Sequence, residues 1–344
     1  HETDGQLTET PVKDYLVVVD PRSTPATDTI HGTAMPVEEL SIPYRGEELT
    51  GDLLRARLDA WVEGGIIEPS CADALKRVQD NPEWLSLPGR SVLVLGLGSE
   101  MGPARRLLQW GVDVLGVDLP SSPAWDRFRS EATTFAGRLH MPVGPDGRPG
   151  IDLISQLPEL AAWARSVAPG PLTVGSYFYA DGGKHVQLSS AADALVVDLL
   201  SDSTADALAY LATPMDTFVV PADVRLAADA ALAARKVTDI KRIVGTLTAH
   251  RVFRRNYDPG HGPAVHDALV PQQGPNYTLA KRIQRWRATT SFTDGHTVSI
   301  NVAPATDTHS VTKNKILAAT YKGAHAFGIE IFHPATSSAL LAAL

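Results

Sequence analysis

Apolar residues in this chain alternate between two kinds of segment. Short unbroken runs fit strands buried on both faces, and stretches with an apolar residue every third or fourth position fit helices. The clearest run is Ser91-Val-Leu-Val-Leu95, followed by glycines at 96, 98 and 102, a helical stretch over 103–110 and a closing Gly111. A second run, 112–117, ends at Asp118. Further runs at 139–143, 172–179, 239–248, 297–304 and 327–332 predict strands, and helical spacing at 125–135, 157–167, 189–200, 221–235, 277–286 and 337–344 predicts helices between them. Residues 204–220 read as an insertion with its own short strand at 217–220. This alternation belongs to an α/β protein with a doubly wound parallel sheet.

The first 88 residues have a different texture. Residues 1–48 are polar and rich in Pro and Thr, with one strand candidate at 15–19 stopped by Asp20-Pro21. Leu53, Leu54, Leu58, Trp61 and Val62 then share one helical face, ended by Gly64-Gly65, and a second short helix follows Pro69 with Ala74, Leu75 and Val78 inward. Two regions result: an N-terminal arm and helical extension over 1–88, and a main α/β domain over 89–344.

Strand, glycine turn, helix, strand and acid form the unit that binds the adenosine half of a dinucleotide. Glycines let the backbone approach a pyrophosphate, the helix N-terminus offers free N–H groups, and the acid accepts the ribose hydroxyls. Gly96, Gly98, Ser99, Glu100, Met101, Gly102 and Asp118 are therefore candidate cofactor contacts. The third glycine comes one position late for G-x-G-x-x-G. The competing reading is a βαβ unit whose glycines serve packing alone. Ala180-Asp181-Gly182-Gly183 ends the 172–179 run, on the side where open α/β sheets bind ligands, and adds Asp181 and Gly182.

Composition narrows the partners. The 344 residues are 44% hydrophobic and 20% charged, with a net charge of −8, which argues against nucleic acid or an anionic membrane. The single Cys71 excludes an internal disulfide and a cysteine-based zinc site. No apolar run approaches bilayer length and no signal peptide is evident, so a cytoplasmic enzyme is the expectation. Residues 249–276 form a long loop rich in His, Arg, Pro and Gly, where Phe253, Tyr257 and His261 would shape a substrate side. His250, His261 and His266 lack a carboxylate at ligand spacing, so no metal is assigned.

Tyr277 and Lys281 stand four apart on a predicted helix, one turn from each other. An ammonium there lowers the phenol's pKa, and the phenol exchanges a proton with a carbonyl oxygen. The strand that follows, Thr297-Val-Ser-Ile-Asn-Val-Ala-Pro304, ends at a proline turn before Ala305-Thr-Asp-Thr308. Taken together, these motifs resemble the short-chain dehydrogenase/reductase family. That family has a T-G-x-x-x-G-x-G turn, a second-strand acid, a Y-x-x-x-K helix and a V-N-x-x-x-P-G strand followed by Thr. Gly96 and Gly102 keep the outer spacing of its turn, with Glu100 at the middle glycine; Asn301 and Pro304 match with one residue fewer between them, and Ala305 replaces the glycine. The resemblance covers about 89–335.

The resemblance implies a Rossmann-type sheet of about seven strands and an NAD(P)-dependent oxidoreductase that interconverts a carbonyl and an alcohol. It makes Tyr277 the acid/base and has Lys281 hold the nicotinamide ribose. Pro304, Thr306 and Thr308, with Ala305, would lie at the nicotinamide amide. Asp118 favours NAD over NADP, since a carboxylate repels a 2′-phosphate, while Arg105 or Arg106 leaves NADP admissible. The family's serine at the end of the fifth strand is missing: that strand, read as 239–248, ends Gly245-Thr-Leu-Thr248, so Thr246 or Thr248 would supply the hydroxyl. Asp181 replaces the family's amide. Two other readings stand beside this one: a non-catalytic nucleotide-binding scaffold, and an S-adenosylmethionine-dependent methyltransferase. The partner expected is a small carbonyl or alcohol, and the apolar 337–344 helix fits a homo-oligomer.

Overall fold

A seven-stranded sheet runs through the computed structural model, which describes residues 2–3, 6–7, 11–17, 23–234, 244, 247, 257, 262–269, 274–313 and 315–344. Its strands are β1 (Ala26–His31), β2 (Ser91–Leu95), β3 (Asp113–Val117), β4 (Arg138–Val143), β5 (Leu172–Ser176), β6 (Ala205–Ala212) and β7 (Thr297–Val302). Their spatial order is β7-β6-β5-β2-β3-β4-β1. All neighbours are parallel except β1, which pairs antiparallel with β4, Thr29 opposite His140. Counted from β2, the six parallel strands follow the 3-2-1-4-5-6 order of a Rossmann-like sheet, and the order reverses between β2 and β5.

The helices are α1 (Val12–Val17), α2 (Gly51–Glu63), α3 (Pro69–Asp80), α4 (Ala104–Gln109), α5 (Ala124–Ser130), α6 (Leu157–Val167), α7 (Gly183–Ser201), α8 (Ala222–Ala233), α9 (Gly274–Thr293), α10 (His309–Lys313), α11 (Lys315–Gly323) and α12 (Pro334–Ala343). Alternation along β2 explains how both sheet faces are filled. Val92 and Val94 enter one core with Leu54, Leu58, Trp61, Leu108 and Leu340. Leu93 and Leu95 enter the other with Leu160, Trp163, Leu195, Val196 and Ala288. Helices on both faces make a strand buried twice, which is why β2 reads as unbroken aliphatic sequence.

Compact units are formed by 1–212 with 279–344, and by 213–278. The smaller contains α8 and an antiparallel ribbon, Thr217–Val220 against Ala264–Asp267. Arg225 of α8 is buried there and donates to the Gly262 carbonyl at 2.9 Å.

Several elements differ from the sequence reading, each for a local reason. The strand expected at 15–19 is helix α1, whose Leu16 is buried in the core with Leu157 and Leu160. The strand expected at 327–332 is absent: a 3-10 turn, Ala324–Phe327, leads into Gly328 at φ 74, and Phe332 then meets Thr306 in a single bridge. Phe332 is instead a core plug whose ring lies 5.1 Å from that of Trp61. The seventh strand is β1, from the stretch read as an arm. The fifth parallel strand is β6, inside the stretch read as an insertion, while the 239–248 segment lies outside the described residues apart from Val244 and Leu247. Helix α12 turns its small residues inward, with Ser337 and Ala339 fully buried.

Candidate functional site

The glycine turn leaves β2 at the point where strand order reverses. Gly96 takes φ 90, and a Cβ there would stand 2.6 Å from the backbone of Phe178, so both the dihedral and the close approach require glycine. Asp118, at the end of β3, reaches back to this turn. Its Oδ2 accepts from Gly98 N at 2.8 Å and its Oδ1 from Leu119 N at 2.8 Å. A Cβ on Gly98 would lie 2.9 Å from that same Oδ2. Each carboxylate oxygen thus spends one lone pair on the backbone and has a second acceptor position. Helix α4 is only six residues long, shorter than the 103–110 expected.

The segment after β7 and helix α12 come to the same turn. Glu100 Oε2 accepts from His309 N at 2.8 Å, and Ser338 Oγ donates to the Gly102 carbonyl at 2.8 Å. Thr306 Oγ1 lies 2.7 Å from the Pro304 carbonyl and 2.6 Å from Ser337 Oγ. Phe332 N donates to the Ala305 carbonyl at 2.8 Å, and Asp307 N to the Phe332 carbonyl at 3.1 Å. Thr306 and Thr308 are buried. Of the residues expected at the nicotinamide amide, Thr306 therefore spends its hydroxyl on the protein. Met101 and Ser99 are half-buried beside the buried Gly102.

A polar column lies between α7 and α9. Gly182, at φ 60, is the residue before α7, and His185 in the first turn of the helix is 1% exposed. Rings of Tyr179 and Phe178 meet the imidazole edge-on at 5.3 and 6.1 Å, and Tyr179 Oη donates to Asp181 Oδ1 at 2.9 Å. Lys281 Nζ donates to the Leu211 carbonyl at 2.9 Å and to Gln284 Oε1 at 3.0 Å; Gln284 Nε2 in turn donates to Ser189 Oγ at 3.3 Å. Burial brings the Lys281 ammonium down to about 8, and burial, with Lys281 adding to it, brings His185 down to about 4. The column continues past Ser189, Tyr210 and Ser176 to the Arg287–Asp193 ion pair, 2.5 Å at its shortest.

Tyr277 belongs to the smaller unit, where its phenol hydrogen-bonds Thr213. Burial pushes the phenol up and the Thr213 bond opposes this. Thr213 is the residue directly after β6, so a hydroxyl does stand at the end of the fifth parallel strand. Its signal in the sequence was the apolar run Ala205–Ala212, too rich in alanine to read as a strand. Thr246 and Thr248, given this role from the sequence, lie outside the described residues, as do Phe253, His250 and His261.

No protein-family model and no curated protein matches the chain. Among the described residues, no cluster of three His, Cys, Asp or Glu could hold a metal ion, and no helix is long and apolar enough to cross a membrane.

Proposed function

We propose that the protein is an atypical NAD(P)-dependent oxidoreductase, similar to the short-chain dehydrogenases, that interconverts a carbonyl and an alcohol. The observation that carries this reading is Asp118. Its carboxylate is fastened to the glycine turn at the strand-order reversal of a 3-2-1-4-5-6 sheet, with lone pairs left for both ribose hydroxyls. Bound nicotinamide would supply the hydride chemistry. On the protein's side, Asp118 holds the adenosine ribose, the Thr213 hydroxyl orients the Tyr277 phenol, and the phenol gives its proton to the carbonyl oxygen or takes it from the alcohol.

Lys281 favours a second reading. Its ammonium is taken up by Leu211 and Gln284, which suits a nucleotide-binding scaffold as well as an enzyme. Titration with NADH, NADPH and S-adenosylmethionine, followed by nicotinamide fluorescence and calorimetry, tests the class. Reduced-nicotinamide binding that weakens by about tenfold or more in Asp118→Asn supports the proposal. Binding of S-adenosylmethionine alone overturns it. If Tyr277→Phe keeps NADH binding and also keeps turnover of carbonyl compounds, Tyr277 is not the acid/base.

A further inference from the structure

We infer that Glu100 sets access to the glycine turn, by latching the 304–309 segment to it and by holding a negative charge beside it. This rests on the nucleotide reading of the same turn. Glu100 stands within the 96–102 turn, yet its bonding partner is 209 residues away, the main-chain N–H of His309. The segment it holds is anchored at its other side. Thr306 bridges to Phe332 and to Ser337, and Phe332 is a buried core residue. Ser338 Oγ fastens helix α12 to the turn at Gly102, and the Glu100 carboxylate bonds the turn to the 304–309 segment itself, at His309 N.

Charge gives the tie a second effect. A pyrophosphate drawn to the turn meets a carboxylate on Glu100 as well as Asp118, and like charges at contact distance oppose binding. Asp118 recovers that cost through ribose hydroxyls. Glu100 has no such return, and its carboxylate must swing away from His309 or stay and repel. A carboxylate in the middle of the turn therefore lowers affinity for phosphate-bearing ligands and couples their entry to release of 304–313.

Two substitutions separate latch from charge. Glu100→Gln keeps an oxygen that accepts from His309 N and removes the charge, whereas Glu100→Ala removes both. Hydrogen exchange of the 309–313 amides, with the buried β2 amides as internal control, reads the latch without any ligand. Exchange should rise about tenfold in Glu100→Ala and stay near wild type in Glu100→Gln. NADH titration reads the charge, and both variants should bind about fivefold more tightly. Unchanged 309–313 exchange in Glu100→Ala overturns the latch, and equal or weaker NADH binding in Glu100→Gln overturns the charge effect. Absence of NADH and NADPH binding from wild type and both variants overturns the nucleotide reading and the charge effect with it, while the exchange result still decides the latch.

Discussion

At the scale of single residues, the turn after β2 is held by contacts that permit little substitution. Gly96→Ala would place a methyl group 2.6 Å from the Phe178 backbone in a conformation that L-residues avoid. We expect it to cost at least about 2 kcal/mol, read as a lower urea midpoint with unchanged m-value. Asp118→Ala removes acceptors from Gly98 N and Leu119 N and should cost about 1–3 kcal/mol, whereas Asp118→Asn retains one oxygen and should cost less. That ordering matters for the cofactor test, because the Asn variant separates lost ribose recognition from a collapsed turn. Asp118 was legible in the sequence because strand, glycine and acid arrive in a fixed order. Its bond to Gly98 was not, since that depends on β2 and β3 lying side by side.

At the scale of elements, strong apolar period was the part that could be read. Helix α2 forms where Leu54, Leu58 and Trp61 share a face, and Leu53, counted on that face, is 69% exposed. Strands β2 and β3 are buried on both sides and show as aliphatic runs. Two strands of the seven-stranded sheet escaped notice for opposite physical reasons. Edge strand β1 needs only Ile30 buried, so Thr, Asp and His fill its other positions. Strand β6 is central, but its four alanines are interrupted by Asp206 and mixed with Leu208, Tyr210 and Leu211, so it shows no unbroken aliphatic run. Missing β6 moved the fifth-strand end to 248 and hid Thr213. Helix α12 shows how an element that reads as a surface feature becomes core: Leu340 is 3% exposed and packs with Val92, Val94 and Trp61. Leu340→Ala should lower stability by about 2–5 kcal/mol in chemical denaturation. An effect below about 1 kcal/mol would mean that α12 is not seated on the sheet.

At the scale of the whole molecule, burial disfavours the charged forms of His185 and Lys281, and the cost appears as a dependence of global stability on pH. His185 titrates near 4 in the fold against 6.5 in an unfolded chain, because burial and the neighbouring Lys281 disfavour its charge. As pH falls from 6.5 towards 4, the unfolded chain takes the proton first, so stability is lost across that window, by up to about 3 kcal/mol. Lys281 behaves with the same sign at higher pH. Its folded value near 8 lies below the ordinary 10.5, so stability rises as pH increases from 8 to 10.5, and at neutral pH the lysine is charged in both states. Comparing wild type with His185→Phe and Lys281→Met by urea unfolding from pH 4 to 10.5 isolates each window. The His185 variant should lose only the acid slope. The Lys281 variant should lose the alkaline slope and, because Lys281 helps hold His185 down, show a shallower acid slope as well, with a constant offset from the unpaired Leu211 carbonyl and Gln284 amide. Parallel curves for wild type and Lys281→Met between pH 8 and 10.5 would show that this lysine keeps its solvent-like affinity for the proton. The column between α7 and α9 would then be open to water, and Lys281 would stand available to a ligand rather than sealed against the sheet.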